Sequence, residues 1–118
     1  MACVITNNPK VLSICPSATW IDGGPLAVLM ECRRRVQEGY ALSCHPIMGD
    51  IRLLRSPFRT VLLEEKRVEV DVTSLTWVEE STERIRLSFQ GCKGIKELED
   101  YQTLDLELFR TASGEKKP

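Results

Sequence analysis

Histidine is almost missing from this chain of 118 residues: His45 stands alone. The five cysteines, Cys3, Cys15, Cys32, Cys44 and Cys92, are scattered without a CxxC pair. One imidazole and isolated thiols supply no zinc or redox spacing, so neither a metal nor a cofactor is expected, and the thiols read as reduced and mostly buried. Neither GxxxxGK[ST] nor GxGxxG occurs, which removes the standard phosphate-cradling loops. Aromatic residues make up 6% and do not interleave with basic ones, so a base-stacking platform is not expected. A net charge of -1 gives no overall attraction to nucleic acid or to an anionic membrane. No apolar run approaches the ~18 residues of a membrane span. The start, MACVITNNPK, lacks the basic and apolar regions of a secretory signal, and a cytoplasmic location is expected.

With 42% hydrophobic and 28% charged residues, the composition is that of an ordinary globular protein, and the length suits a single core. The apolar, β-branched run at 2–6 reads as a first strand, stopped by Asn7-Asn8-Pro9. Pro9 suits the first position of a helix over 9–14, with Asn8 as its cap. A second strand at 18–21 is followed by the turn Asp22-Gly23-Gly24-Pro25. Helical spacing of Leu26, Leu29, Met30, Arg33 and Val36 then predicts a helix over 25–38, ended by Gly39. Residues 40–44 read as a third strand, and the continuous apolar run Thr60-Val61-Leu62-Leu63 as a fourth.

Two further helices follow. One, over 72–90, is drawn from Leu75, Val78, Thr82, Ile85 and Phe89, with Asp71 or Thr73 as its cap. The alternation at 68–72 and at 84–89 fits strands as well, and periodicity leaves that choice open. The last helix, over 95–110, follows Ile95, Leu98, Tyr101, Asp105, Leu108 and Phe109. Residues 111–118 hold too little apolar surface to pack and are expected to form a mobile tail. Alternating strands and helices predict a single α/β domain over 1–110: a small, mainly parallel sheet of about four strands flanked by helices, Rossmann-like in character.

Charge is unevenly placed. Residues 33–67 carry eight Lys/Arg against four Asp/Glu, whereas 68–110 carry five against ten. Within the basic part, SCHPIMGDIRLLRSPFR (43–59) holds the histidine, three arginines and one aspartate. In an open α/β sheet, ligands sit beyond the carboxyl ends of the strands. Thr6, Asn7 and Asn8 close the first strand, while Ser43, Cys44 and His45 close the third and lead to Arg52, Arg55, Ser56 and Arg59. Arginine forks match carboxylate or phosphate, and asparagine both donates and accepts, so these residues form a candidate pocket for a small anionic metabolite. The competing readings are plain: the arginines pair with the acidic C-terminal third, and Asn7-Asn8-Pro9 is a structural turn. His45 is the candidate acid or base of an enzymatic alternative, with Cys44 or water as reactive partner. Neighbouring residues at a strand end point in opposite directions, which disfavours a direct Cys44–His45 couple.

The segments VITNNP, EGY followed by a strand and His45-Pro46, Gly49, SPFRT, VDVTSL and LEDYQTLDLEL occur in an order that resembles the GrdX-like proteins over about residues 4–109. The resemblance carries over at Thr6, Asn7, Asn8, Pro9, His45, Pro46, Gly49, Ser56, Pro57, Phe58 and Arg59. It implies a bacterial cytoplasmic protein with an accessory role beside the reduction of glycine, sarcosine or betaine, and it implies no established activity. Its expected partners are a small anionic metabolite, a reductase-complex protein docking on the helices over 72–110, or a second copy of the chain. Whether the protein is an enzyme is left open at this point.

Overall fold

The computed structural model describes residues 3–43, 57–65, 69–88 and 95–112. Its elements are β1 (Cys3–Thr6), α1 (Pro9–Ile14), β2 (Thr19–Trp20), α2 (Pro25–Gln37), β3 (Thr60–Leu63), α3 (Val72–Ser88) and α4 (Ile95–Ala112). The strands form a three-stranded sheet in the order β2-β1-β3. β1 and β2 are parallel, with Ile5 opposite Thr19 and Thr6 opposite Trp20. β1 and β3 are antiparallel, from Cys3 opposite Leu63 to Thr6 opposite Thr60.

This corrects the expected fold. Among the described residues the sheet is mixed, with three strands and one parallel pair, and is not a mainly parallel, Rossmann-like sheet of about four. The expected third strand shrinks to a single bridge, Leu42 to Leu63, flanked by bonds from Ser43 N to Leu62 O (2.9 Å) and from Glu64 N to Ala41 O (2.7 Å). That bridge is antiparallel to β3, so 41–43 runs in the same direction as β1, with β3 between them. The physical reason for the error lies in burial. All four residues of β3 are buried. A strand covered on both faces reads as an unbroken apolar run whichever way it points. An antiparallel return also needs no helical crossover.

Alternation along the strands feeds two cores. Ile5, Val61 and Leu63 pack with Val28, Leu29, Cys32 and Val36 of α2 and Val78 and Ile85 of α3. Val4 and Leu62 pack with Val11 of α1 and Phe109 of α4. The sheet is therefore covered by α2 and α3 on one face and by α1 and α4 on the other. Burial of Cys32 in the first core pushes its thiol up to about 12, which suits an inert packing residue.

The helix ends follow local chemistry closely. Pro9 starts α1, and the Asn8 side chain accepts from Lys10 N at 3.0 Å. At the end of α2, Gly39 has φ 112°. Its N–H reaches Val36 O (3.0 Å), while Tyr40 N reaches Arg35 O (3.1 Å), the paired closure of a Schellman motif. Arg34 and Arg35 in that last turn are drawn to Glu31, and the Arg34 hydrogen bond, joined by that of Arg35 and opposed by burial, brings the Glu31 carboxyl down to about 2.

Asp71 starts α3 by accepting from Ser74 N at 3.0 Å, and Ser74 Oγ in turn accepts from Leu42 N at 2.8 Å. Residues 84–88 are helical and Glu69 and Val70 lie outside any strand, which settles the open alternatives in favour of the helix where residues are described. Phe89 and Gln90 lie outside the described residues. α4 continues two residues past Arg110.

Gly39→Ala places a side chain in the left-handed region, and a loss of about 1 kcal/mol is expected in urea unfolding. An unchanged midpoint would contradict the helix closure described.

Candidate functional site

The carboxyl end of β1 carries a dense set of side-chain hydrogen bonds. Asn7 follows the strand and its side chain makes three bonds to two other chain segments. Its Nδ2 donates to Gly23 O (2.9 Å) and Pro57 O (2.7 Å), and its Oδ1 accepts from Arg59 N (2.8 Å). The turn before α2 and the segment leading into β3 are thereby tied to the end of β1. Asn8 turns to the other face. Its Nδ2 donates to Gln102 O (2.9 Å) and to Asp105 Oδ2 (3.0 Å) on α4 while its Oδ1 caps α1.

Thr6, Thr60 and Asp105 complete a chain of hydroxyls. Thr60 Oγ1 donates to Asp105 Oδ2 at 2.6 Å, so it accepts from Thr6 Oγ1 at 2.8 Å, and Thr6 Oγ1 accepts from Asn8 N at 3.0 Å. With Thr60 donating to Asp105, the hydroxyls of Thr6 and Thr60 point one way along the relay. Thr6, Asn8, Thr60 and Asp105 are all buried. Burial raises the Asp105 carboxyl above its ordinary value, opposed by the Thr60 and Asn8 bonds and by the positive charge of Arg59. Arg59 is only 4% exposed. Burial lowers its guanidinium and the Asp105 charge supports it, so the two form a mutually attracting buried couple.

Four of the residues singled out from the sequence, Thr6, Asn7, Asn8 and Arg59, are therefore brought to one place, at the carboxyl end of β1. The side chains of Thr6, Asn7 and Asn8 make the protein's own bonds there, and that of Arg59 is buried near the Asp105 charge. Cys44, His45, Arg52, Arg55 and Ser56 lie outside the described residues. Asp105, Thr60 and the Gly23 carbonyl were missed. A signal for Asp105 did exist: it is an acidic residue on the otherwise apolar stripe of the last helix. Among the described residues no group of three His, Cys, Asp or Glu side chains is arranged to hold a metal ion. No helix among them is long and apolar enough to cross a membrane.

Two predictions come from this cluster. Asn7→Ala removes three bonds at a buried position, and a loss of about 3 kcal/mol in chemical unfolding is expected; a change below that of an average surface substitution would contradict the tie. The second concerns pH. Because the folded chain holds the Asp105 proton more tightly than the unfolded chain, the stability from that difference is full below the ordinary carboxylate value of 3.8. It is lost as pH rises through the folded value. The melting temperature of the wild type relative to Asp105→Asn should therefore fall as pH is raised from about 4, measured by calorimetry. Parallel curves for the two proteins would refute the assignment.

No curated protein and no solved structure matches this chain. The family pattern described as GrdX-like protein does match, over residues 3–113. The match takes in the Thr6-Asn7-Asn8 turn, Arg59-Thr60 and Asp105 alike, and covering nearly all of the sequence it establishes that the chain belongs to the GrdX-like protein family.

Proposed function

We propose that the protein is a non-catalytic accessory module that binds a small anionic metabolite beyond the carboxyl ends of β1 and β2. The observation that carries this reading is the Asn7 tie. By holding Gly23 O and Pro57 O together, Asn7 gathers the turn before α2 and the return of the 43–59 segment at one edge of the sheet. Residues 41–43 run in the direction of β1, so the same segment also sets out toward that edge. His45, Arg52, Arg55 and Ser56 are the anion contacts in this reading, while Arg59, buried beside Asp105, supports the site from beneath. The accessory role beside glycine, sarcosine or betaine reduction follows from the family resemblance and belongs to the same proposal.

A second reading has its own support. Leu98 and Leu104 are exposed on α4 at 36% and 46%, which suits docking of a partner protein on that helix.

The test is a thermal-shift panel of phosphate, acetyl phosphate, glycine, sarcosine, betaine and nucleotides on the wild type and on Arg52→Ala and Arg55→Ala. A ligand at 100 times its Kd adds about 2.7 kcal/mol and moves the melting temperature by several degrees. The expected result is a shift with one anion, lost in both variants while their circular dichroism is unchanged. No shift with any compound, or a shift the variants retain, counts against the site, and pull-downs with Leu104→Glu then examine the docking reading.

A further inference from the structure

We infer that the groove between α2 and α3, on the face of the molecule away from the sheet, is a separate binding site for a small organic dianion whose two anionic groups flank an apolar chain. The groove has a volume of about 410 Å³ and is lined by Met30 and Arg33 of α2 and Glu79, Thr82, Glu83 and Arg86 of α3, among others. That size is typical of small-molecule clefts.

The two helices lie antiparallel. The bond from Leu42 N to Ser74 Oγ places the end of α2 beside the start of α3, and the Arg33–Glu79 ion pair joins them further along. Arg86 lies seven residues beyond Glu79, roughly 10 Å along the helix axis, toward the start of α2. The guanidinium groups of Arg33 and Arg86 are thus spaced along the groove, while the third, Arg34, is held on α2 by Glu31 and Glu38. Met30, one turn before Arg33 on α2, also lines the groove and is 67% exposed, an apolar and adaptable surface.

Both guanidinium groups already hold carboxylates, Arg33 that of Glu79 and Arg86 that of Glu83. All four side chains are half exposed or more, so water screens these pairs and the glutamates are free to swing into solvent. Each pair is a single nitrogen–oxygen contact, and a ligand carboxylate that takes the place of either glutamate can engage the guanidinium through two. For a monoanion the exchange of one pair for another yields no net gain. A dianion exchanges two pairs in one molecule and adds contact between its chain and Met30, and the second exchange benefits from being intramolecular. A dianion too short to reach both arginines loses that advantage.

The test is titration calorimetry at fixed ionic strength with three probes: nonanedioate, whose carboxylates are separated by a distance matching the groove, butanedioate, and the monoanion hexanoate. Nonanedioate is expected to bind roughly tenfold or more tightly than the other two. Arg33→Ala and Arg86→Ala should each weaken it by about the same factor. Both residues are exposed, so the variants should keep the wild-type melting temperature. Met30→Ser should weaken nonanedioate and leave butanedioate unchanged. Equal affinity for the two dicarboxylates, indifference to either arginine substitution, or no measurable heat would overturn the proposal. Arg52→Ala and Arg55→Ala should leave nonanedioate binding intact, which keeps this site distinguishable from the one at the sheet edge.

Discussion

Burying the Asp105 carboxylate between α4 and the sheet obliges the carboxyl end of β1 to supply it with donors. Thr60 and Asn8 bond it directly, Thr6 supports Thr60, and Arg59 supplies the opposite charge. A carboxylate removed from water and left without these partners would be strongly destabilising, so the position of α4 and the conformation of the β1–α1 turn are coupled. The same turn holds Gly23 and Pro57 through Asn7. One short segment, Thr6-Asn7-Asn8, therefore sets the relative placement of α4, of the start of α2 and of the approach to β3.

That coupling changes how the candidate pocket is understood. Asparagine at the end of a strand attracts attention as a ligand-orienting group, yet here both amides face inward and organise backbone. Arg59 behaves similarly, since its guanidinium is buried and compensates Asp105. These residues build the edge of the sheet, and the proposed site assigns ligand contact to His45, Arg52, Arg55 and Ser56 instead.

Some of this was readable from local chemistry. Asn8-Pro9, Gly39 and Asp71 mark helix ends because each solves a backbone problem within a few residues: a cap, a left-handed turn, an orphan amide. The three-four spacing of Leu75, Val78 and Ile85 identified α3 for the same local reason, since a helix places those residues on one face regardless of what it packs against. Asp105 was visible only as an anomaly, an acid on an apolar stripe. Its partners, Thr60 and Asn8, are 45 and 97 residues away along the chain, and no spacing rule reaches that far.

The sequence by itself determined the four helices, the runs that became β1, β2 and β3, and most of their ends, because period and capping are properties of neighbouring residues. Only the tertiary structure decided that β3 runs against β1, that residues 40–43 contribute one bridge and no strand, and that the Asn7 and Asn8 side chains bond inward beside a buried Arg59. Strand sense depends on which edge of the sheet is open when the segment arrives, and a run buried on both faces carries no mark of direction. A polar side chain likewise carries no mark of whether water, a ligand or a distant carboxylate will satisfy it until the fold brings that partner within reach.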